Sequence, residues 1–295
     1  MLPQFESVMP KQRIFELTSV TLAAQEWGEV GQTPVLALHG WLDNSASFSE
    51  LAPKLKNVHL VALDLAGHGQ SGHRPPGVAY NIWDDVAEVF AVADQLGWKK
   101  FTLLGHSRGA IISTVAAGTF PERIVSLNLV DGLLPMLVKE SDAPAQLAQS
   151  ILEVKDKSAK QLRVFSDIDT AVKARLGGHF KLSLKAATAL SERGIKAVPD
   201  GFSWSSDSRL MAASAFKLTA GHAKAFVSKI TAPALLVLAM DSDSKIHPYM
   251  GEVLKIYPDV VVEEMPGTHH LHLEAEAEQV AEVLNRHIAL YQTVA

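Results

Sequence analysis

The sequence predicts an α/β layer architecture: a mostly parallel central sheet flanked by helices and interrupted by a helical insertion. Three observations carry that expectation. Short, unbroken apolar runs recur along the chain, helical patterns lie between them, and the alternation stops near residue 134 and resumes near 230.

From Arg13 to Trp27 the near-alternating character reads as two strands of an antiparallel hairpin. After the turn GEVGQTP comes VLALHG (Val35–Gly40), and the form repeats at His59–Gly69, Phe101–Ser107 and Ile124–Gly132. Runs of this kind suit strands covered on both faces. The segments Ile82–Gly97 and Arg108–Phe120 carry helical spacing between them. Beyond Gly132 the composition shifts toward Lys, Ser, Asp and Ala, with helical stretches at 143–154, 167–177 and 182–194. ALLVLAM (Ala234–Met240) and Val260–Pro266 restore the buried-strand pattern, and Ala277–Tyr291 closes as an amphipathic helix. The expected organisation is a core of residues 1–133 and 230–295 around a mainly helical cap of residues 134–229.

The 295 residues carry a formal net charge of -5, which offers no basic field for nucleic acid and no polybasic membrane patch. With no cysteine, disulfides, thiolate metal sites and cysteine nucleophiles are excluded. The N-terminal stretch lacks the continuous apolar segment of a secretory signal. No stretch approaches the roughly 18 uncharged apolar residues that a membrane span needs. A cytoplasmic protein acting on a small molecule, monomer or dimer, is the expectation.

Gly105-His106-Ser107-Arg108-Gly109 matches the pattern G-x-S-x-G. The apolar strand before it and the small-residue helix after it supply the context such a motif needs. Ser107 is expected on a tight strand-to-helix turn that projects its hydroxyl above the sheet. Glycine is required at 105 and 109 because side chains there would clash as strand and helix close. A serine nucleophile also needs a base and donors for the developing oxyanion. The backbone N–H of Arg108, with the helix dipole behind it, is one expected donor. The N–H of Trp41, after His39 and Gly40, is the other. The side chain of His39 is expected to tie this loop down by packing, and His106 is a candidate pocket residue.

For the base, chain order points to the loop after the last core strand, where VVVEEMPGTHHLHLE offers His269, His270 and His272. His269 is the choice, with His272 supporting the loop. For the acid, which orients the imidazole, Asp131 at the end of IVSLNLVD competes with Asp243 and then Asp241 after the strand at 234–240. In the insertion, Trp204 and Arg209 either line the pocket, with Arg209 meeting a substrate carboxylate, or form a structural cluster with Asp207.

HGW (39–41), DLAGHGQSG (64–72), GHSRG (105–109), LVDG (129–132) and PGTHHLHLE (266–274) together resemble the α/β-hydrolase superfamily. WSSDSRL (204–210) and the LVDG ending look similar to its serine hydrolase-like branch, alongside the carboxylesterases. That resemblance implies the α/β-hydrolase fold with a helical cap. In that branch the acid after the post-cap strand is often missing, which favours Asp131, although this chain keeps two aspartates there. Ser107 argues against the dehalogenases and epoxide hydrolases of the superfamily, whose nucleophile is Asp. The expected activity is ester hydrolysis through an acyl-enzyme. Cleavage of C–C, thioester or amide bonds on the same triad, or a non-catalytic ligand-sensing module, stand as alternatives. The chemistry needs no metal or organic cofactor. The HHLH histidines lie on a loop with no matched carboxylate set beside them in the sequence.

Overall fold

The computed structural model describes residues 9–242 and 246–292, and the side chains of all of these except 246–249. An antiparallel hairpin of β1 (Lys11–Glu16) and β2 (Thr21–Trp27) opens the chain, followed by β3 (Thr33–Leu38) and β4 (Val58–Leu63). Helix α1 (Ile82–Gln95), β5 (Phe101–His106), α2 (Arg108–Thr119) and β6 (Ile124–Val130) continue the alternation. The segment after β6 holds α3 (Ala143–Ser158), β7 (Val164–Phe165), α4 (Ile168–Leu176) and α5 (Leu184–Gly194). It goes on through β8 (Ile195–Val198), β9 (Gly201–Trp204) and α6 (Ala220–Val227). β10 (Ala234–Ala239), α7 (Ile246–Ile256), β11 (Val261–Met265) and α8 (Ala277–Leu290) complete it.

The main sheet runs β1-β2-β4-β3-β5-β6-β10-β11. The pairings from β4 through β11 are all parallel, and only those of β1 with β2 and of β2 with β4 are antiparallel. The mostly parallel sheet read from the apolar runs is what the chain builds.

Burial on both faces explains those runs. Leu36 and Leu38 of β3, with Val61 and Leu63 of β4, enter one core cluster together with α1 and α2. Their neighbours Val35, Ala37, Leu60 and Ala62 enter a second cluster on the other face, beneath α8. Period two thus feeds two cores at once, leaving no exposed position in β3 or β4. In α8, Ala277, Val280, Ala281, Val283, Leu284 and Ile288 recur at helical spacing and are the residues it buries. Truncating a fully buried leucine such as Leu36 to alanine costs about 2–5 kcal/mol.

The apolar run His59–Gly69 is shorter as a strand than its sequence implies: β4 stops at Leu63, and residues 64–72 fold back as a loop. Asp64 is the reason, because its buried carboxylate accepts bonds from the amides of Ser45 (2.7 Å) and Gln70 (2.8 Å) and pairs with Arg193 (3.0 Å). Between β6 and β10 lie not only helices but a small antiparallel sheet, β7-β9-β8. Helix α6 packs on α2 closely enough that a Cβ on Gly118 would meet the Phe226 carbonyl oxygen at 2.5 Å.

Candidate active site

The carboxyl ends of β3, β5, β6 and β10 converge on one edge of the sheet, and Ser107 stands at the end of β5. Its backbone is at φ 51°, ψ -115°, a conformation L-residues rarely adopt. The surroundings hold it there. A Cβ on Gly109 would fall 1.9 Å from the Leu38 carbonyl oxygen, and one on Gly105 would lie 2.5 Å from Ala110 Cα. The Ser107 amide donates to the Val130 carbonyl at 3.0 Å, stitching the turn to β6. Arg108 is the first residue of α2, so its N–H has no acceptor within the helix. Its guanidinium reaches sideways to Asp85 Oδ2 at 2.5 Å, away from the turn.

The loop after β3 is pinned by His39, which is fully buried. Its Nδ1–H donates to the Gly40 carbonyl at 2.7 Å, and its Nε2 accepts from the Leu65 amide at 3.0 Å. Burial lowers the pKa of this ring, keeping it a neutral spacer. Trp41 is 44% exposed and donates its indole N–H to the Leu210 carbonyl at 2.8 Å. Leu42 follows at φ 60°, so strain is concentrated in this loop as it is at Ser107.

Asp131 directly follows β6 at φ 43°, fully buried. The parallel register of β6 with β10 sets it beside Ala239, whose amide donates to Oδ1 at 3.2 Å. Oδ2 accepts from Ser242 Oγ at 2.8 Å and from His269 Nδ1–H at 2.5 Å. Asp241 has a different role: its Oδ2 accepts from the Gly267 amide at 2.9 Å, and its own amide donates to the Gly267 carbonyl at 2.9 Å. It clamps the histidine loop. Asp243 lies outside the described residues.

Behind His269 sits a nest of buried histidines. His106 Nε2–H donates to the His269 carbonyl at 2.9 Å, and His272 Nε2 bonds Ser47 Oγ at 2.8 Å. Burial holds both of these rings well below the usual histidine pKa, with the neighbouring histidines acting in the same direction. His270 Nε2–H donates to Asp43 Oδ2 at 3.0 Å, and Arg175 pairs with Asp43 Oδ1 at 2.6 Å. Burial pushes the Asp43 carboxyl up, but His270 and Arg175 outweigh it and hold the group well below the carboxylate range. From the segment between β6 and β10, Phe180 stacks on His269 with ring centroids 4.4 Å apart and planes 21° from parallel.

Two cavities meet at Trp41. One, of about 420 Å³, is lined by Tyr80, Arg108, Met136, Leu210 and Phe216 among others. The second, about 200 Å³, is lined by Arg175, His179, Phe180, Trp204 and His270. Trp204 is therefore at a cavity wall, its ring edge-on to Phe165 at 5.2 Å. Arg209 lines neither cavity. It is buried and spent on Asp207 Oδ2 (2.6 Å) and on the carbonyls of Arg74, Pro75 and Val78, the structural cluster of the two expected roles. His39 and His106 likewise lie behind the two cavities and line neither, because both rings are fully buried under the loops they tie down.

The chain thus brings Ser107, Asp131, His269, Trp41 and Arg108 to one edge. Sequence reasoning missed Asp43, Arg175 and Phe180, while Ser242, where the register for an acid after the strand at 234–240 falls, bonds Asp131 instead. Asp43, three residues past Gly40, had a detectable signal as an acidic residue in the loop of an oxyanion motif. Phe180 and Arg175 had none.

A family model described as alpha/beta hydrolase fold matches residues 33–276. A serine hydrolase-like protein of Danio rerio is 32% identical, covering 92% of this chain and 90% of that protein. Serine hydrolase-like protein 2 of Homo sapiens is also 32% identical, over 90% of this chain and 89% of its own length. A solved structure, that of a hypothetical protein from Pseudomonas aeruginosa PAO1, is 42% identical, with a TM-score of 0.88 over 95% of this chain and 98% of that one.

Proposed function

This chain belongs to the α/β-hydrolase fold family, and from that premise we propose that it is a serine hydrolase cleaving carboxylic esters through an acyl-enzyme. The observation that carries the reading is the bond from His269 Nδ1–H to buried Asp131, formed beside the strained Ser107 turn. That bond fixes the tautomer with Nε2 bare, the form a general base requires. In the proposed mechanism Ser107 Oγ attacks the carbonyl carbon while its proton passes to His269 Nε2. The amides of Trp41 and Arg108 hold the oxyanion. The C–O bond then breaks as the His269 proton goes to the leaving alkoxide. Water, deprotonated by the same ring, attacks the acyl-enzyme and releases the acid with Ser107 restored. Asp131 orients the ring and stabilises the imidazolium.

The two cavities divide the substrate in this reading. Because His269 gives its proton to the leaving oxygen, the alcohol belongs on the side of Phe180 and His270, in the smaller cavity. The acyl group takes the larger, apolar cavity beside Arg108. A cap over residues 134–229, less α6 where it packs on α2, is part of the proposal, as is a cytoplasmic protein without cofactor. Among the described residues no helix is long and apolar enough to cross a membrane.

The test is hydrolysis of short p-nitrophenyl esters. Ser107→Ala is expected to lose turnover by a factor on the order of a million with the fold intact, as when a triad serine is removed. Unchanged turnover in that variant would refute the assignment. Thioester, amide and C–C substrates run on the same preparation separate ester cleavage from its alternatives on one triad. Failure of the wild-type chain on all four classes would favour a ligand-sensing module.

A further inference from the structure

The histidines after β11 have no matched carboxylate set beside them in sequence, but the fold brings a carboxylate to them from the loop after β3. His106, His270 and Asp43, all buried, bring one ligand atom each to within 4.8 Å of one another. We propose that Asp43 Oδ2, His270 Nε2 and His106 Nδ1 form a binding site for a divalent transition-metal ion of the zinc type.

Three independent features meet at this spot. The first is a bare lone pair. His106 Nε2–H donates to the His269 carbonyl, which can only accept, so Nδ1 of the neutral ring carries no proton. That Nδ1 has no hydrogen-bond partner and lies 3.7 Å from Asp43 Oδ2, acceptor facing acceptor, and the His270 Nε2–H that reaches Oδ2 does not reach Nδ1. A cation is what such a pair lacks. The second is space: a Cβ on Gly40 would stand 2.9 Å from His106 Nδ1 and 3.1 Å from Asp43 Oδ2, so the glycine leaves a small cradle open at these two atoms. The third is access, because Asp43 and His270 both line the smaller cavity, through which an ion and a water as fourth ligand can reach them.

The donor set suits the ion. Two imidazole nitrogens and one carboxylate oxygen with an open fourth position match zinc, whose bonds of about 2.0–2.2 Å place ligands about 3.4 Å apart in a tetrahedron. Asp43 Oδ2 already lies 3.0 Å from His270 Nε2 and 3.7 Å from His106 Nδ1. The two ring nitrogens lie within 4.8 Å of each other. On binding, the His270 Nε2 proton shifts to Nδ1 of the same ring, which has no partner, and frees the Nε2 lone pair for the ion. Arg175 on Asp43 Oδ1 orients the carboxylate, but its charge opposes a second cation nearby.

An ion there would grip the residue before Ser107 and the residue after His269. Loading is therefore inhibitory: it fixes both neighbours of the proposed nucleophile and base in positions set by the metal. That consequence rests on the proposed hydrolase reading, whereas the binding itself does not.

Equilibrium dialysis of the purified full-length chain against zinc, followed by metal analysis, tests the site. One zinc per chain is expected, with affinity falling at least tenfold in His270→Gln and in Asp43→Asn, and rising in Arg175→Gln as the competing charge goes. Cobalt(II) in the unsubstituted chain should give the intense visible absorption of a tetrahedral site, a readout that needs no variant to fold. Absence of saturable zinc binding together with an octahedral cobalt spectrum overturns the proposal. So does binding undiminished in both folded variants, which would place the ion on other histidines. Turnover of a p-nitrophenyl ester should fall at least tenfold on loading and return with chelator. Stoichiometric binding at these residues without that fall leaves the site standing and overturns its inhibitory role.

Discussion

Leu42, Ser107 and Asp131 are three of the four described non-glycine residues held at positive φ, and all three stand at the same edge of the sheet. Strain of this kind costs on the order of 1–3 kcal/mol per residue and persists only where the surroundings over-determine it. At Asp131 the determinants are countable: its amide bonds the Val237 carbonyl, and its carboxylate gathers Ala239, Ser242 and His269. Replacing Asp131 with Asn keeps the shape but releases the His269 tautomer, and kcat is expected to drop by about 10⁴-fold, as when a triad acid becomes an amide. Asp241→Asn should leave kcat within about tenfold, because the Asp241 amide still holds the Gly267 carbonyl. Steady-state kinetics of the two variants side by side decides between the acids, and an equal loss in both would count against Asp131. The nucleophile motif is local in sequence and could be read there. The acid was favoured only through the family resemblance, because its partner is chosen by the parallel register of β6 against β10, and a strand's register with a neighbour about a hundred residues away leaves no local trace.

At the scale of elements, the β5–α2 turn is where sequence and packing constrain each other most tightly. Gly109 lies against the backbone of β3, with no room for a methyl group beside the Leu38 carbonyl. Gly109→Ala is therefore expected to destabilise the chain by about 3 kcal/mol or more, visible as a lower urea midpoint. A midpoint within error of wild type would contradict the tight turn described. Gly31, with φ 95° but open space around it, is the control that tests strain without the clash. The buried strands and long helices were legible because continuous apolar runs and 3.6-residue spacing are statements about burial. The small sheet between β6 and β10 was not, since strands of two and four residues carry no measurable period. Phe180 belongs to a short connection whose sequence says nothing of the histidine it covers.

The molecule as a whole buries an unusual set of titratable groups, and its stability should follow them. Burial depresses the pKa of His39, His68, His106 and His272, so these rings stay neutral in the folded chain at pH values where the unfolded chain's histidines protonate. As pH falls below about 6.5 the unfolded state therefore gains protons that the folded state cannot, and stability falls. Each ring contributes at most roughly 1.4 kcal/mol per pH unit. Glu88 acts in the opposite sense: burial, with Asp85 nearby, raises its carboxyl to about 7, so its contribution declines as pH rises from the unfolded value toward 7. Four histidines outweigh one glutamate, so urea midpoints should be clearly lower at pH 5.5 than at pH 7.5. A midpoint unchanged or higher at pH 5.5 would contradict the neutral histidine nest. The advantage of Glu88→Gln over wild type should grow as pH rises through 7 in the same experiment. The central claim, that Ser107 is a nucleophile served by His269 and Asp131, is tested most directly by treating the native chain with a fluorophosphonate and mapping the adduct by peptide mass spectrometry. A single adduct on Ser107 is expected, absent in Ser107→Ala and forming far more slowly in His269→Ala. An unmodified folded chain, or an adduct on any other residue, would contradict it.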